Sequence, residues 1–205
     1  VGKRGEKGNL VDDHFTIRNW FDLYCTQGPS STPVFKQLEE KLGFFKCYET
    51  GWCKVDPFFT EPTLQNEGKT TILYSPTFSR GITSVEALYD TIHQIAERRD
   101  WEWIITFHPK ITDHSIINKY QKLAEKFDNV SFERNEGLKT FQRADVMLCD
   151  SSSIILEFML LSKPVVTFKN TNPGPHLIDV NECDAVEPAL ETALTRPKSL
   201  MEAID

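Results

Sequence analysis

A doubly wound α/β domain, with a parallel sheet covered by helices on both faces, is what the sequence predicts for residues 61–205. Two observations lead there. Short runs apolar on both faces recur at 70–74, 103–107, 129–132, 146–149 and 164–168. Segments with helical character follow them at 84–99, 114–127, 138–143, 152–161 and 184–194. Strands buried on both faces and alternating with helices belong to parallel, doubly covered sheets, and their crossovers are right-handed.

The individual elements support this reading. The segment at 84–99 places Val85, Leu88, Ile92, Ile95 and Ala96 on one stripe, and that at 114–127 turns Ile117, Tyr120 and Leu123 or Ala124 inward. Residues 1–60 read differently, as the end of a preceding domain and its connector. A strand at 20–25 is entered through Phe15 and Ile17. Ser31 or Thr32 is expected to cap a helix with Pro33 in its first turn, running to Leu42 and ending at Gly43. A further strand is expected at 44–48, then a turn at Thr50-Gly51, then a polar connector at 57–68 that marks the domain boundary. The basic, Gly-rich residues 1–9 and the helical residues 201–205 suggest a piece of a longer protein.

Composition excludes several classes. A net charge of -7 argues against a chain that coats nucleic acid. No apolar run approaches the roughly 20 residues of a membrane span. The cysteines, Cys25, Cys47, Cys53, Cys149 and Cys183, are odd in number and lack ligand-like spacing. A reducing, cytoplasmic setting is expected, with no metal. Neither a Gly-rich dinucleotide fingerprint nor a Lys-containing P-loop is present.

Ligands of open parallel sheets bind beyond the carboxyl ends of the strands. The residues there are Ser75 through Arg80, including Thr77 and Ser79; His108-Pro109-Lys110; 133–137; Asp150-Ser151-Ser152-Ser153; and Lys169-Asn170-Thr171. The serine run follows a strand and opens a helix, an arrangement that offers hydroxyls and free amides to a phosphate; simple helix capping is the plainer alternative. Glu157 lies one turn further on, among Ile154, Ile155, Leu156, Phe158 and Met159. A lone acid on so apolar a helix needs a partner, and ribose hydroxyls would supply one. His108 would donate to a donor phosphate, and Arg80 and Lys110 would neutralise a pyrophosphate. The other histidines have no assigned role: His93 reads as helix surface, and His176 approaches the site only weakly.

These stretches resemble the C-terminal half of the CDP-glycerol glycerophosphotransferase family, which makes teichoic-acid-type polymers. The resemblance rests on Tyr74 through Arg80, His108-Pro109 and the run from Asp145 through Pro164, and covers about residues 20–170. It implies a two-domain GT-B architecture in which this chain holds the nucleotide-binding domain and a fragment of the N-terminal one. It also implies pyrophosphate contacts at Arg80, His108, Ser152 and Ser153, and a ribose or cytidine contact at Glu157. Three positions depart from the family pattern. Glu157 stands where aspartate is usual, Ser151 where tyrosine is frequent and Lys54 where arginine is usual. The family's base is a histidine in a His-Gly motif that nothing here matches, so turnover would need another domain.

The resulting expectation is a transferase that moves a glycerophosphate from a CDP-linked donor to a glycan or polymer hydroxyl, with no tightly bound cofactor. The family works as peripheral proteins at the inner membrane face, through regions not seen here. A nucleotide-sugar glycosyltransferase with a UDP-linked donor is the first alternative. A UDP-sugar 2-epimerase and a non-catalytic nucleotide-binding domain are the others.

Overall fold

The computed structural model describes residues 20–61, 68–134 and 137–204. His14, Phe15, Ile17, residues 1–9, the middle of the 57–68 connector, Asn135, Glu136 and Asp205 lie outside the described residues. The chain divides into two compact units, Val1–Phe59 and Thr60–Asp205.

In the first unit, β1 (Leu23–Thr26) and β2 (Lys46–Glu49) pair in parallel and are joined by α1 (Thr32–Leu42). Phe35, Phe45 and Cys47 form its buried cluster, packed by Tyr24, Leu38 and Phe44. Helix α1 begins at a proline, whose missing N–H is no loss there. It ends at Gly43, in the left-handed region with φ 70. The capping expectation fails: neither Ser31 nor Thr32 caps α1 through its side chain. Ser31 has αR rather than extended backbone angles, so its hydroxyl does not face the helix amides; both hydroxyls turn back to the Gly28 carbonyl, at 3.2 and 2.9 Å. A short helix, α2 (Asp56–Thr60), occupies sequence read as connector.

Glu39 on α1 accepts from Lys36 Nζ at 3.0 Å, Lys46 Nζ at 3.0 Å and the Cys47 N–H at 2.9 Å. The Lys36 hydrogen bond, followed by those of Cys47 and Lys46, holds its carboxyl down at about 2. The stability it contributes is therefore complete above its ordinary value of 4.5 and lost as pH falls toward 2. A carbon chemical-shift titration of Glu39 should show a midpoint near 2, and one at 4.5 would contradict this geometry.

The second unit is a six-stranded sheet with every pairing parallel. Its strands are β3 (Thr71–Tyr74), β4 (Glu102–Thr106), β5 (Val130–Glu133), β6 (Val146–Cys149), β7 (Val165–Phe168) and β8 (Ile178–Val180), in the order β5-β4-β3-β6-β7-β8. The helices are α3 (Tyr89–Arg98), α4 (His114–Lys126), α5 (Leu138–Arg143), α6 (Ile154–Met159), α7 (Val186–Leu194) and α8 (Lys198–Ile204). All four residues of β3, of β6 and of β7 are buried. The predicted fold class is the observed one.

A continuous core covers one face of this sheet. Ile92, Ile95 and Ala96 of α3, Tyr120 and Leu123 of α4, and Leu190 and Ala193 of α7 pack against Ile72, Ile105, Leu148 and Val166. Each such aliphatic side chain stabilises the fold by roughly 1.5–3 kcal/mol relative to exposure. Two helices are shorter than their periodicity suggests. Helix α3 starts at Tyr89 because Ser84 is drawn away by a carboxylate described below. Helix α6 stops at Met159, its last turn tightened by Leu161 N–H to Phe158 at 3.1 Å and closed by Ser162 at φ 49.

Candidate functional site at the switch point

The chain enters the sheet at β3, moves outward through β4 to β5, then returns to β6 beside β3 and runs the other way. The strand order therefore reverses between β3 and β6. A reversal of this kind is the place where open parallel sheets bind ligands. The β3 loop carries Thr77, Ser79 and Arg80; the β6 loop carries Ser151, Ser152 and Ser153.

A single buried carboxylate ties the two loops together. Asp150 is fully buried. Its Oδ1 accepts from the N–H of Thr77 and of Ser151, both at 2.8 Å. Its Oδ2 accepts from the N–H and the Oγ of Ser84, both at 3.0 Å. Ser84 has one hydroxyl proton and gives it to Asp150, so the Tyr74 hydroxyl must donate to Ser84, at 2.9 Å. Burial outweighs these bonds and pushes the Asp150 carboxyl above its ordinary range. Sequence reading placed Asp150 at the rim without giving it this role, since its donors lie 66 and 73 residues away.

The loop after β7 joins the same assembly. Asn170 Nδ2 donates to the Asp150 carbonyl at 2.7 Å, and the Thr171 N–H donates to Ser151 Oγ at 2.8 Å. The three serines of the run are therefore not equivalent. Ser151 has its amide committed to Asp150 and its oxygen to Thr171, leaving only its hydroxyl proton. Ser152 Oγ accepts weakly from the Ile154 N–H at 3.5 Å. Ser153 is exposed and makes no side-chain cap. The amides of Ser152 and Ser153 have no protein acceptor among the described residues, so these two keep the open donors.

His108 stands in the loop after β4. Its Nδ1 accepts from the Lys110 N–H at 3.0 Å. That bond leaves the ring proton on Nε2, which has no partner among the described residues. His108 thus presents an N–H donor at Nε2. Its ring lies 4.4 Å from that of Phe78, and the Lys110 ammonium sits 4.7 Å from the Phe78 centroid.

Two cavities flank this loop. One, of about 490 Å³, is lined by Thr77, Phe78, Arg80, Thr83, Glu86 and Lys110 among others. The other, of about 410 Å³, is lined by His108, His114, Gln121, Glu133 and Arg134 beside apolar residues. Ile111 and Thr112 border both. Ser152, Ser153 and Glu157 line neither. Glu157 is buried on α6, at 8% exposure. Ser79 shapes the β3 loop: its carbonyl accepts from Ile82 and Thr83 around Gly81, whose φ of 86 suits glycine. His93, read as helix surface, is half-buried and pairs with Lys126 at 2.8 Å. Among the described residues no group of three His, Cys, Asp or Glu could hold a metal ion.

The doubly wound parallel sheet, with polar loops at its reversal point, is the fold shared with solved structures of the GT-B architecture. A variant of the wall teichoic acid polymerase TagF soaked with CDPG aligns at TM-score 0.57 and 17% identity, over 90% of this chain and 50% of that one. The Methanocaldococcus jannaschii UDP-GlcNAc 2-epimerase in complex with UDP-GlcNAc and UDP aligns at 0.55 and 17%, over 82% and 54%. S. aureus MnaA with UDP aligns at 0.57 and 17%, over 89% and 55%. The chain spans about half the length of each. No curated protein sequence matches it.

Residues 26–171 match the family described as CDP-Glycerol:Poly(glycerophosphate) glycerophosphotransferase, and the chain belongs to that family.

Proposed function

We propose that this chain binds the nucleotide-linked donor of a glycerophosphate transfer, CDP-linked, to a hydroxyl of a glycan or polymer. The observation that carries the proposal is the Asp150 clasp. It fixes the Thr77–Arg80 loop against the Ser151–Ser153 loop at the switch point, leaving the Ser152 and Ser153 amides open. Residues 1–60 are taken as the end of the N-terminal domain, and 61–205 as the donor domain.

In this mechanism the donor pyrophosphate rests on Ser152, Ser153 and the Ser151 hydroxyl, with Thr77 and Ser79 shaping the facing loop. The acceptor hydroxyl attacks the β-phosphorus. The new P–O bond forms as the bond to the CMP oxygen breaks, and CMP leaves with the electron pair. Arg80 and the His108 Nε2–H offset the charge that develops on the leaving phosphate. The acceptor's proton goes to a base of the N-terminal domain, because His108 already carries its proton on Nε2 and uses Nδ1 for Lys110. Glu157 would take ribose hydroxyls.

Among the described residues no helix is long and apolar enough to cross a membrane. Use of a nucleotide donor places the protein in the cytoplasm, with a membrane-borne acceptor reached peripherally. A UDP-sugar donor is the second reading, favoured by glutamate rather than aspartate at position 157.

Calorimetric titration with CDP, CDP-glycerol, UDP and UDP-N-acetylglucosamine tests the proposal. Cytidine ligands should bind more tightly. The Ser152→Ala/Ser153→Ala variant should bind them roughly tenfold more weakly, the effect of one lost hydrogen bond to a charged group. A preference for uridine ligands would move the assignment to sugar transfer, and binding unchanged in the variant would remove the two serine hydroxyls from the site and leave only their backbone amides.

A further inference from the structure

The Phe78 ring is 39% exposed, on a loop that also exposes Ile82 at 38%. A large aromatic left in water at a binding rim calls for a reason beyond burial. Its neighbours supply one. One ring contact is to the His108 imidazole, at 4.4 Å between centroids with planes tilted by 36°. Another is to the Lys110 ammonium at 4.7 Å. Lys110 also gives its backbone N–H to His108 Nδ1 at 3.0 Å. Phe78, His108 and Lys110 therefore form a closed triangle of contacts, in which Phe78 comes from the β3 loop and the other two from the β4 loop.

We infer that Phe78 is a positioning residue for His108. This inference rests on the donor-binding reading given above. The Lys110 N–H selects the tautomer by occupying Nδ1, but one hydrogen bond alone does not stop the imidazole from turning about its Cβ–Cγ bond, which would break it. The Phe78 ring blocks that swing on one face, and the Lys110 ammonium holds the Phe78 ring in turn. The Nε2–H is then a fixed donor that needs no reorganisation when charge develops on a phosphate oxygen. The position of Phe78 is itself fixed by the Asp150 clasp, because its neighbour Thr77 is held by its amide at 2.8 Å. The clasp thus reaches His108 through Phe78. Phe78 touches no substrate in this scheme and acts only through the histidine.

The test combines CDP binding by calorimetry with nitrogen NMR of the His108 ring, in Phe78→Leu, Phe78→Tyr, His108→Ala and the Phe78→Leu/His108→Ala double variant. Wild type should show a protonated Nε2 and an unprotonated Nδ1. Phe78→Leu should mix the two tautomers and weaken CDP binding about three- to tenfold, the range of an aromatic contact. Phe78→Tyr should restore both readouts. In the His108→Ala background Phe78→Leu should cost nothing further, since coupled residues are non-additive. Additive losses, or a CDP affinity that Phe78→Leu leaves unchanged while His108→Ala lowers it, would overturn the positioning role and spare the donor reading. CDP affinity unchanged by His108→Ala would overturn the role of His108 in donor binding, and this inference with it, whatever the ring signals show.

Discussion

Replacing Asp150 with asparagine is expected to destabilise the Thr60–Asp205 unit by about 2–4 kcal/mol, because a buried donor left without an acceptor costs roughly 1–3 kcal/mol. The two residues have nearly the same shape, so packing is not the cause. Four donors converge on Asp150, two at each oxygen. An asparagine keeps one acceptor oxygen and turns an NH₂ group toward the other pair of donors. Denaturant unfolding would measure the loss, and a change below about 1 kcal/mol would mean that the clasp is not held as described. CDP binding should fall as well, since the two loops are no longer pinned. The pH dependence has a definite sign. A carboxyl raised by burial holds its proton in the native state at pH values where the unfolded chain has released it. Its contribution to stability is therefore largest below the ordinary value of 3.8 and declines as pH rises through the raised one. Asp150→Asn should abolish that decline.

Lys163→Met should produce a loss of similar size, about 2–3 kcal/mol, through unmet carbonyls rather than unmet amides. Lys163 Nζ donates to the carbonyls of Phe141, Gln142 and Ala144 at 3.0, 2.8 and 2.6 Å. Those groups close α5, a six-residue helix whose Phe141 carbonyl also accepts from the Ala144 N–H at 3.3 Å. Methionine has a similar length and fills the space without a proton to give. Burial lowers the Lys163 pKa, opposed by Asp145, yet three carbonyls require a donor there. Thermal unfolding would compare Lys163→Met with Lys163→Arg. Equal stability for Met and wild type would show that water serves those carbonyls instead. The site itself lies at other loops, so CDP affinity at a temperature where the variant is folded should change little.

Much of this architecture is legible in the sequence because the second unit states it locally. Strands such as 146–149 are apolar at every position, and α3 and α4 carry clear stripes, so the class and five of its strands follow from pattern alone. Strand β8 was not read, because its three residues are only half-buried and its middle one, Asp179, accepts from Thr167 at 2.7 Å. Helix α2 was lost for a similar reason: two phenylalanines beside a proline look like connector. The rim is harder to read. The polar residues beyond the strands could be found by position, but the division of labour among them depends on partners far away in sequence. Ser151 and Ser153 look alike in the chain, and only the Thr171 and Asp150 contacts distinguish the one that is committed.

The Asp150 clasp also dictates when the site comes into being. Its donors at Thr77 and Ser84 lie 73 and 66 residues from the carboxylate, across the whole excursion to the β5 edge and back. Closing so long a loop is a late and slow event in folding. The site therefore has no partly assembled form: until β6 docks beside β3, a bare carboxylate must stay in water and the rim loops have nothing to hold them. Local fraying cannot release those two amides without stripping the same buried charge. Hydrogen exchange at Thr77 and Ser84 should accordingly proceed only through the global opening of the unit, at the slow rate of its core strands, although both residues sit in loops.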